Sequence, residues 1–237
     1  LSMYLFDDQF WGIKVMQFKR TTVISYSLLL VIVSSLMTVL FYHVFVFKSF
    51  SNDSDNQTSP QKELTIAQAE KSPIKENNSI IEVMSYGCHY CAANEDNVRE
   101  FVKKLPAGVV FESIHINTEK SGLSAFAPIF ATLQEMGVEP AVRDSAYNAI
   151  IARGINLTDT AELDKWLVKN RIDIAEYKKT RTSEAVKHRL DEMSAITDFY
   201  DITATPIFII NKRFVVAQDS SFPEFSKRML NLLGKDK

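Results

Sequence analysis

The sequence predicts an α/β domain with an inserted helical subdomain, preceded by one membrane-crossing helix. Three observations predict it. The stretch from Thr21 to Phe47 contains no Asp, Glu, Lys or Arg. Further on, two short β-branched runs, "SIIEVMSY" and "GVVFESIHIN", enclose a segment with helical periodicity. Finally, a long block with helical spacing and almost no strand signal precedes a short hairpin near the end of the chain.

The apolar stretch exceeds the ~20 residues a helix needs to cross a bilayer core. Lys14, Lys19 and Arg20 stand before it, and a basic cluster on that side keeps the N-terminal end, residues 1–20, in the cytoplasm. A cleaved signal would have an apolar region of only ~7–15 residues and a small-x-small site. Here the run ends in "FYHVFVFKSF", so residues 21–47 read as a retained anchor. Residues 48–62, including "SNDSDNQTSPQK", are too polar to bury a core and read as a flexible stalk. Random-coil scaling gives such a dozen residues an end-to-end distance of about 20 Å, which keeps the folded domain near the membrane.

The folded domain spans residues 63–237. "SIIEVMSY" reads as a largely buried strand. In "AANEDNVREFVKKLP", Val98, Phe101, Val102 and Leu105 follow i, i+3, i+4, i+7 spacing, an amphipathic helix that stops near Pro106. "GVVFESIHIN" returns as a strand, so the order makes a βαβ unit with a parallel pair. The helical insertion runs from about 121 to 199. Its stripes are Phe126, Ile129, Phe130 and Leu133; Ala146, Ala149 and Ile150; Leu163, Trp166 and Leu167; and Val186, Leu190, Met193 and Ile196. Gly137 to Pro140 and Arg153-Gly154 read as helix-ending punctuation. "IFIINKRFVV" then reads as a hairpin around Asn211-Lys212. "FPEFSKRMLNLLG" reads as a closing helix, with Pro223 near its start and Gly234 past its end.

The formal net charge of −2 argues against nucleic acid, which needs a basic patch. No glycine-rich phosphate loop is present. Two cysteines cannot staple a scaffold, but both lie in "GCHYC", three positions apart. As a zinc site they supply two of four ligands, with no second such pair, and His89, His115 or His188 would have to converge on them. As a structural staple they close too short a loop to remove much unfolded-state entropy. A redox couple needs no further residues. Cys88 at the mouth of a helix meets unpaired N–H groups and the positive end of the dipole, both of which favour thiolate. Cys91, one turn further in, can resolve a mixed disulfide formed at Cys88.

Three neighbours carry two readings each. Glu82 is either a buried acid with a raised pKa or an edge residue facing solvent. His89 either supports the Cys88 thiolate or is simply solvated. Tyr90 either lines a substrate groove or packs.

"EVMSYGCHYC", the helix after it, the inserted helices and "TATPIFIINKRFVV" together resemble the DsbA family of thioredoxin-fold thiol:disulfide oxidoreductases, over about Glu63 to Leu233. The resemblance implies a thioredoxin-like fold and catalysis by Cys88 and Cys91. It makes Thr205-Pro206 a cis-proline dipeptide that offers backbone to a bound polypeptide, and Glu82 a buried acid that moves protons. It also implies a bacterial inner-membrane protein with its catalytic domain in the periplasm. Its substrates would be unfolded or thiol-bearing exported proteins, and a membrane redox partner of the DsbB type would reoxidise it, with no metal or organic cofactor. Two features depart from the pattern. His89-Tyr90 replaces the Pro-His pair of many DsbA-type oxidases, and Tyr90 and Thr205 also look like disulfide isomerases of the DsbC type. A reductase or isomerase, and a non-catalytic binding factor, are therefore the alternatives.

Overall fold

The computed structural model describes residues 20–41 and 62–236. The assigned segment 1–20 apart from Arg20, the anchor beyond Phe41, and the stalk apart from Lys62 lie outside the described residues. The chain divides into two compact units, Leu1–Gln57 and Thr58–Lys237.

In the first unit the described element is helix α1 (Arg20–Phe41). At 1.5 Å per residue it extends about 33 Å, enough to cross a bilayer core. Its apolar side chains from Ile24 to Phe41 are exposed on every side. A helix apolar all round suits lipid rather than an aqueous surface.

The second unit is built on a five-stranded sheet in the order β1-β5-β4-β2-β3. The strands are β1 (Lys62–Glu63), β2 (Ser79–Met84), β3 (Val110–His115), β4 (Ile207–Ile210) and β5 (Phe214–Ala217). β2 runs parallel to β3 and antiparallel to β4, and both β1 and β4 lie antiparallel to β5. Every residue of β2 is buried, as its continuous apolar run predicts for a central strand. Along the strands the side chains alternate between two cores. Ile80, Phe208, Ile210, Phe214 and Val216 pack with residues of α3 (His89–Val102) and α9 (Phe222–Leu233). Ile81, Val83, Ile207, Ile209 and Val215 belong to the larger core shared with the inserted helices.

The insertion contains α4 (Ala127–Glu135), α5 (Glu139–Tyr147), α6 (Thr160–Lys169), α7 (Ile174–Arg181) and α8 (Glu184–Phe199). Four helical stripes are legible in the sequence; α7 is additional. Gly137 takes φ +70° and ends a helix, but Glu139-Pro140 opens the next one, where Pro suits the first turn. The stripe at Ala146 to Ile150 proves to be the end of α5 running into a π-turn at Asn148–Ala152. The hairpin forms where expected: Asn211 and Lys212 both have positive φ, 50° and 62°, and the Arg213 N–H closes the turn onto the Ile210 carbonyl at 3.0 Å. Besides α7, the short helix α2 (Ile66–Ala69) and β1 lie outside the sequence reading. Lys62, assigned to the stalk, pairs with Val215 in the sheet.

Candidate active site

β2 ends at Met84, and a short turn delivers Cys88 to the N-cap of α3. That turn is pinned from three sides. The Cys88 N–H donates to the Ser85 carbonyl at 3.0 Å. Ser85 Oγ accepts from the Gly87 N–H at 3.1 Å and donates to the Leu123 carbonyl at 2.9 Å. The Tyr86 N–H donates to Nε2 of His115 at 3.2 Å, while the other ring nitrogen of His115 stands 2.8 Å from the Ile116 carbonyl. This arrangement requires neutral His115 with its proton on Nδ1. Burial agrees with it, lowering the His115 pKa to about 4. Gly87 lies against the Phe126 ring, where a Cβ would stand at an ordinary contact distance of 3.5 Å.

Cys88 and Cys91 are joined as a disulfide, with their Cα atoms 5.2 Å apart. Cys88 Sγ accepts the Cys91 N–H at 3.1 Å, so the sulfur itself caps the helix. The first turn of α3 contains no acidic residue that would oppose a thiolate. The Thr205–Pro206 peptide is cis, and the Thr205 carbonyl oxygen lies 3.4 Å from Cys88 Sγ. His89 and Tyr90 point outward, Tyr90 being 75% exposed. Tyr90 therefore does not pack.

Glu82 is 2% exposed, on an interior strand, so it is not a solvent-facing edge residue. Its Oε2 accepts the Ser113 hydroxyl at 2.7 Å across the β2–β3 register. Burial raises its pKa to about 7, against the lowering effects of the Ser113 bond and of Arg143. Arg143 holds Glu139 through Nε at 2.9 Å and Nη2 at 2.7 Å, and its Nη1 reaches Ser113 Oγ at 3.3 Å and Glu95 at 3.4 Å. The Tyr86 hydroxyl donates to Glu139 at 2.9 Å. Glu95 also accepts from Arg99 at 3.2 Å, and Arg99 in turn pairs with Asp144. Cys91 and Glu95 share the buried side of α3, one turn apart, so this charged cluster begins directly beneath the disulfide.

Sequence reasoning named Cys88, Cys91, His89, Glu82, Tyr90, Thr205 and Pro206, and the structure brings the cysteines and Thr205-Pro206 together. It missed Glu95, Ser113, His115, Glu139 and Arg143. Two signals existed: an acid four residues after Cys91 on the helix's apolar stripe, and the i, i+4 pair Glu139–Arg143. Among the described residues no three His, Cys, Asp or Glu side chains form a metal-ligating group.

A mixed sheet with a CxxC disulfide capping the helix after an interior strand, beside a cis-proline, defines a thioredoxin-fold dithiol–disulfide protein. The DSBA-like thioredoxin domain matches residues 79–229, and the chain belongs to that family. The thiol:disulfide interchange protein DsbA of Pseudomonas syringae pv. tomato is 31% identical over 136 residues, 57% of this chain and 63% of that protein. The protein of the same name from Azotobacter vinelandii is 28% identical over the same shares of the two chains. The chain thus spans 63% of the length of these curated relatives. Among solved structures, a variant of Pseudomonas aeruginosa DsbA superposes with a TM-score of 0.64 at 24% identity, covering 69% of this chain and 90% of that one. DsbA from Xylella fastidiosa gives 0.60 at 17% identity, covering 67% and 85%. These two share the fold.

Proposed function

We propose that the protein is a thiol:disulfide oxidoreductase that introduces disulfide bonds into exported proteins through Cys88–Cys91. The observation that carries this reading is the capping disulfide, with Cys88 Sγ receiving the Cys91 N–H and facing the Thr205 carbonyl. A substrate thiolate attacks Cys88 Sγ, and the electron pair of the broken S–S bond goes to Cys91 Sγ. Cys91 takes a proton from Glu82, the acid with a pKa near neutrality. A second substrate thiolate then attacks the substrate's own sulfur in the mixed disulfide. Cys88 leaves as a thiolate, held by the Cys91 N–H and the N-terminus of α3. Two electrons pass from substrate to enzyme, and a membrane partner of the DsbB type reoxidises the pair. No step calls on a metal or organic cofactor.

The Thr205 carbonyl and Pro206 offer backbone to an extended substrate, and exposed Tyr90 offers an aromatic face beside them. His89, exposed in the first turn of α3, adds a donor near the leaving thiolate. The apolar α1, behind a basic cluster, fits a single-pass anchor in the inner membrane with the catalytic unit in the periplasm.

In an assay of reduced, unfolded substrate, Cys88→Ser abolishes oxidation and Cys91→Ser accumulates mixed disulfides. A Cys88→Ser protein that still oxidises substrate refutes the reading. The Tyr90 and Thr205 identities favour a second reading, a reductase or isomerase. Thiol alkylation in cells separates the two: a pair held as disulfide is the oxidase outcome, and a pair held as dithiol is the other.

A further inference from the structure

A carboxyl that gives up and regains a proton in each cycle must trade it with water, yet Glu82 is sealed. The disulfide covers the cysteine side, with Cys91 2% and Cys88 5% exposed. On β4, Phe208 faces Glu82 in register and offers no titratable group. From α3 comes Glu95, tied to Arg99. From α5 come Glu139, Arg143 and Tyr147, spaced i, i+4, i+8 on one buried stripe. From β3 comes the Ser113 hydroxyl, which alone among these is bonded directly to Glu82.

Ser113 borders open space on its other side. Together with Glu95, Glu139 and Arg143 it lines an open cleft of about 690 Å³, whose wall does not include Glu82. The acid therefore stands one hydroxyl behind the cleft. Ser113 is also held in position. Its Oγ accepts from Arg143 Nη1 at 3.3 Å, which turns the hydroxyl proton toward Glu82, and its carbonyl accepts from Gln134 at 3.2 Å. Arg143 cannot carry the proton itself, because a guanidinium stays charged in proteins. The Tyr147 hydroxyl is buried in the electrostatic reach of Glu82 and has no hydrogen-bond partner among the described residues. An unpaired buried hydroxyl is uncommon and marks a place suited to an ordered water.

We propose that Ser113 is the proton relay between Glu82 and water in this cleft, so that protons reach the redox pair by a side route away from the substrate face. The inference rests on the proposed exchange, in which Glu82 supplies the Cys91 proton. When the disulfide is reduced, Cys91 Sγ takes the Glu82 proton. The Glu82 carboxylate then takes the Ser113 hydroxyl proton, and Ser113 Oγ takes one from an acid in the cleft, hydronium or buffer. One proton moves inward per reduction and one outward per reoxidation, and no electron uses the path.

The test reads proton traffic at Glu82 without substrate, in the full chain in detergent. Glutamate is labelled with carbon-13 at the carboxyl, and the Glu82 resonance is assigned by its loss in Glu82→Gln. Its line shape is followed from pH 5 to 9. Ser113→Ala is expected to move the titration midpoint up by about 1–2 units, from the lost hydrogen bond to a charged group. The proton exchange rate is expected to fall roughly 10²-fold, the low end of what a positioned proton-transfer group contributes. Imidazole, small enough for the cleft, restores the rate in Ser113→Ala and leaves the midpoint raised. Ser113→Thr, which keeps the hydroxyl, behaves as the unaltered chain. An unchanged exchange rate in Ser113→Ala overturns the relay, as does an equal loss in Ser113→Thr with no response to imidazole. Because no substrate is present, these outcomes are independent of the Cys88→Ser assay that decides the proposed function.

Discussion

Glu82→Gln keeps the shape of the buried side chain and its acceptor for the Ser113 hydroxyl, and removes only the charge. The amide that replaces it lies within the electrostatic reach of the Glu95 and Glu139 carboxylates. In the folded chain burial raises the Glu82 pKa from 4.5 to about 7. A raised acid pKa means that the folded state holds the proton more tightly. The stability it contributes is complete below pH 4.5 and is lost as pH rises through 7. At 1.36 kcal/mol per unit, the loss is about 3 kcal/mol. His115 acts in the opposite sense. Burial lowers its pKa from 6.5 to about 4, so its contribution is complete above 6.5 and is lost as pH falls through 4. The two slopes have opposite sign and nearly equal size, and they overlap between pH 4.5 and 6.5. In the unaltered chain these two contributions nearly cancel there, while in the variant the His115 contribution is no longer offset by Glu82. Urea unfolding in detergent, followed by the fluorescence of buried Trp166, measures both proteins at each pH. The variant should match the unaltered chain near pH 4 and exceed it by about 3 kcal/mol at pH 8. A difference that stays constant from pH 5 to 8, or reverses sign at pH 8, refutes the reasoning.

Arg143→Met removes the cation that holds Glu139 and reaches Glu95, and should cost about 3–5 kcal/mol at pH 7 because the Glu139 carboxylate is left buried without a cation, while Glu95 keeps Arg99. Thermal melts at pH 7 should show that deficit; a melt unchanged there counts against the cluster. Lys212→Gly relieves a side chain at φ 62° in the hairpin turn and should stabilise by roughly 0.5–1 kcal/mol, less the Lys212–Lys75 carbonyl contact it removes. Urea midpoints check this, and a lower midpoint would show that the turn does not strain lysine.

What could be read from the sequence follows from where each element gets its stability. β2 and the β4–β5 hairpin owe theirs to their own β-branched residues and turn, so "SIIEVMSY" and "IFIINKRFVV" announced them. The helix after the cysteines was equally plain, because its buried side carries its own apolar stripe. α7 buries only Tyr177, so "IAEYKKTR" has no stripe to detect. β1 has both residues exposed and exists because β5 offers an edge to pair with. At the site, local chemistry was legible and convergence was not. Glu82 stood out as an acid in an apolar run, whereas Arg143 and Ser113 meet it only because α5 and β3 come together. His115 looked isolated because its partner is a backbone N–H in the cysteine turn, and no side-chain motif encodes such a partner.

The charge balance of the cluster bears on how strongly the pair oxidises. With Glu82 protonated, the carboxylates of Glu95 and Glu139 face the guanidinium groups of Arg143 and Arg99, and Arg99 also holds Asp96 and Asp144. Ionising Glu82 adds one more negative charge to this cluster, whose Glu95 lies one turn from Cys91 on α3. In the proposed exchange the reduced enzyme carries a thiolate at Cys88, which that extra charge repels. The reduced state is therefore favoured while Glu82 is neutral and disfavoured once it ionises. Stabilising the reduced state is what makes a disulfide a strong oxidant, so the couple is most oxidising below the Glu82 midpoint of about 7. The residue that holds this balance, Arg143, belongs to the inserted helices and not to the strand–helix unit that carries the cysteines. On this account the insertion sets the electrostatics of the redox site as well as covering one face of the sheet.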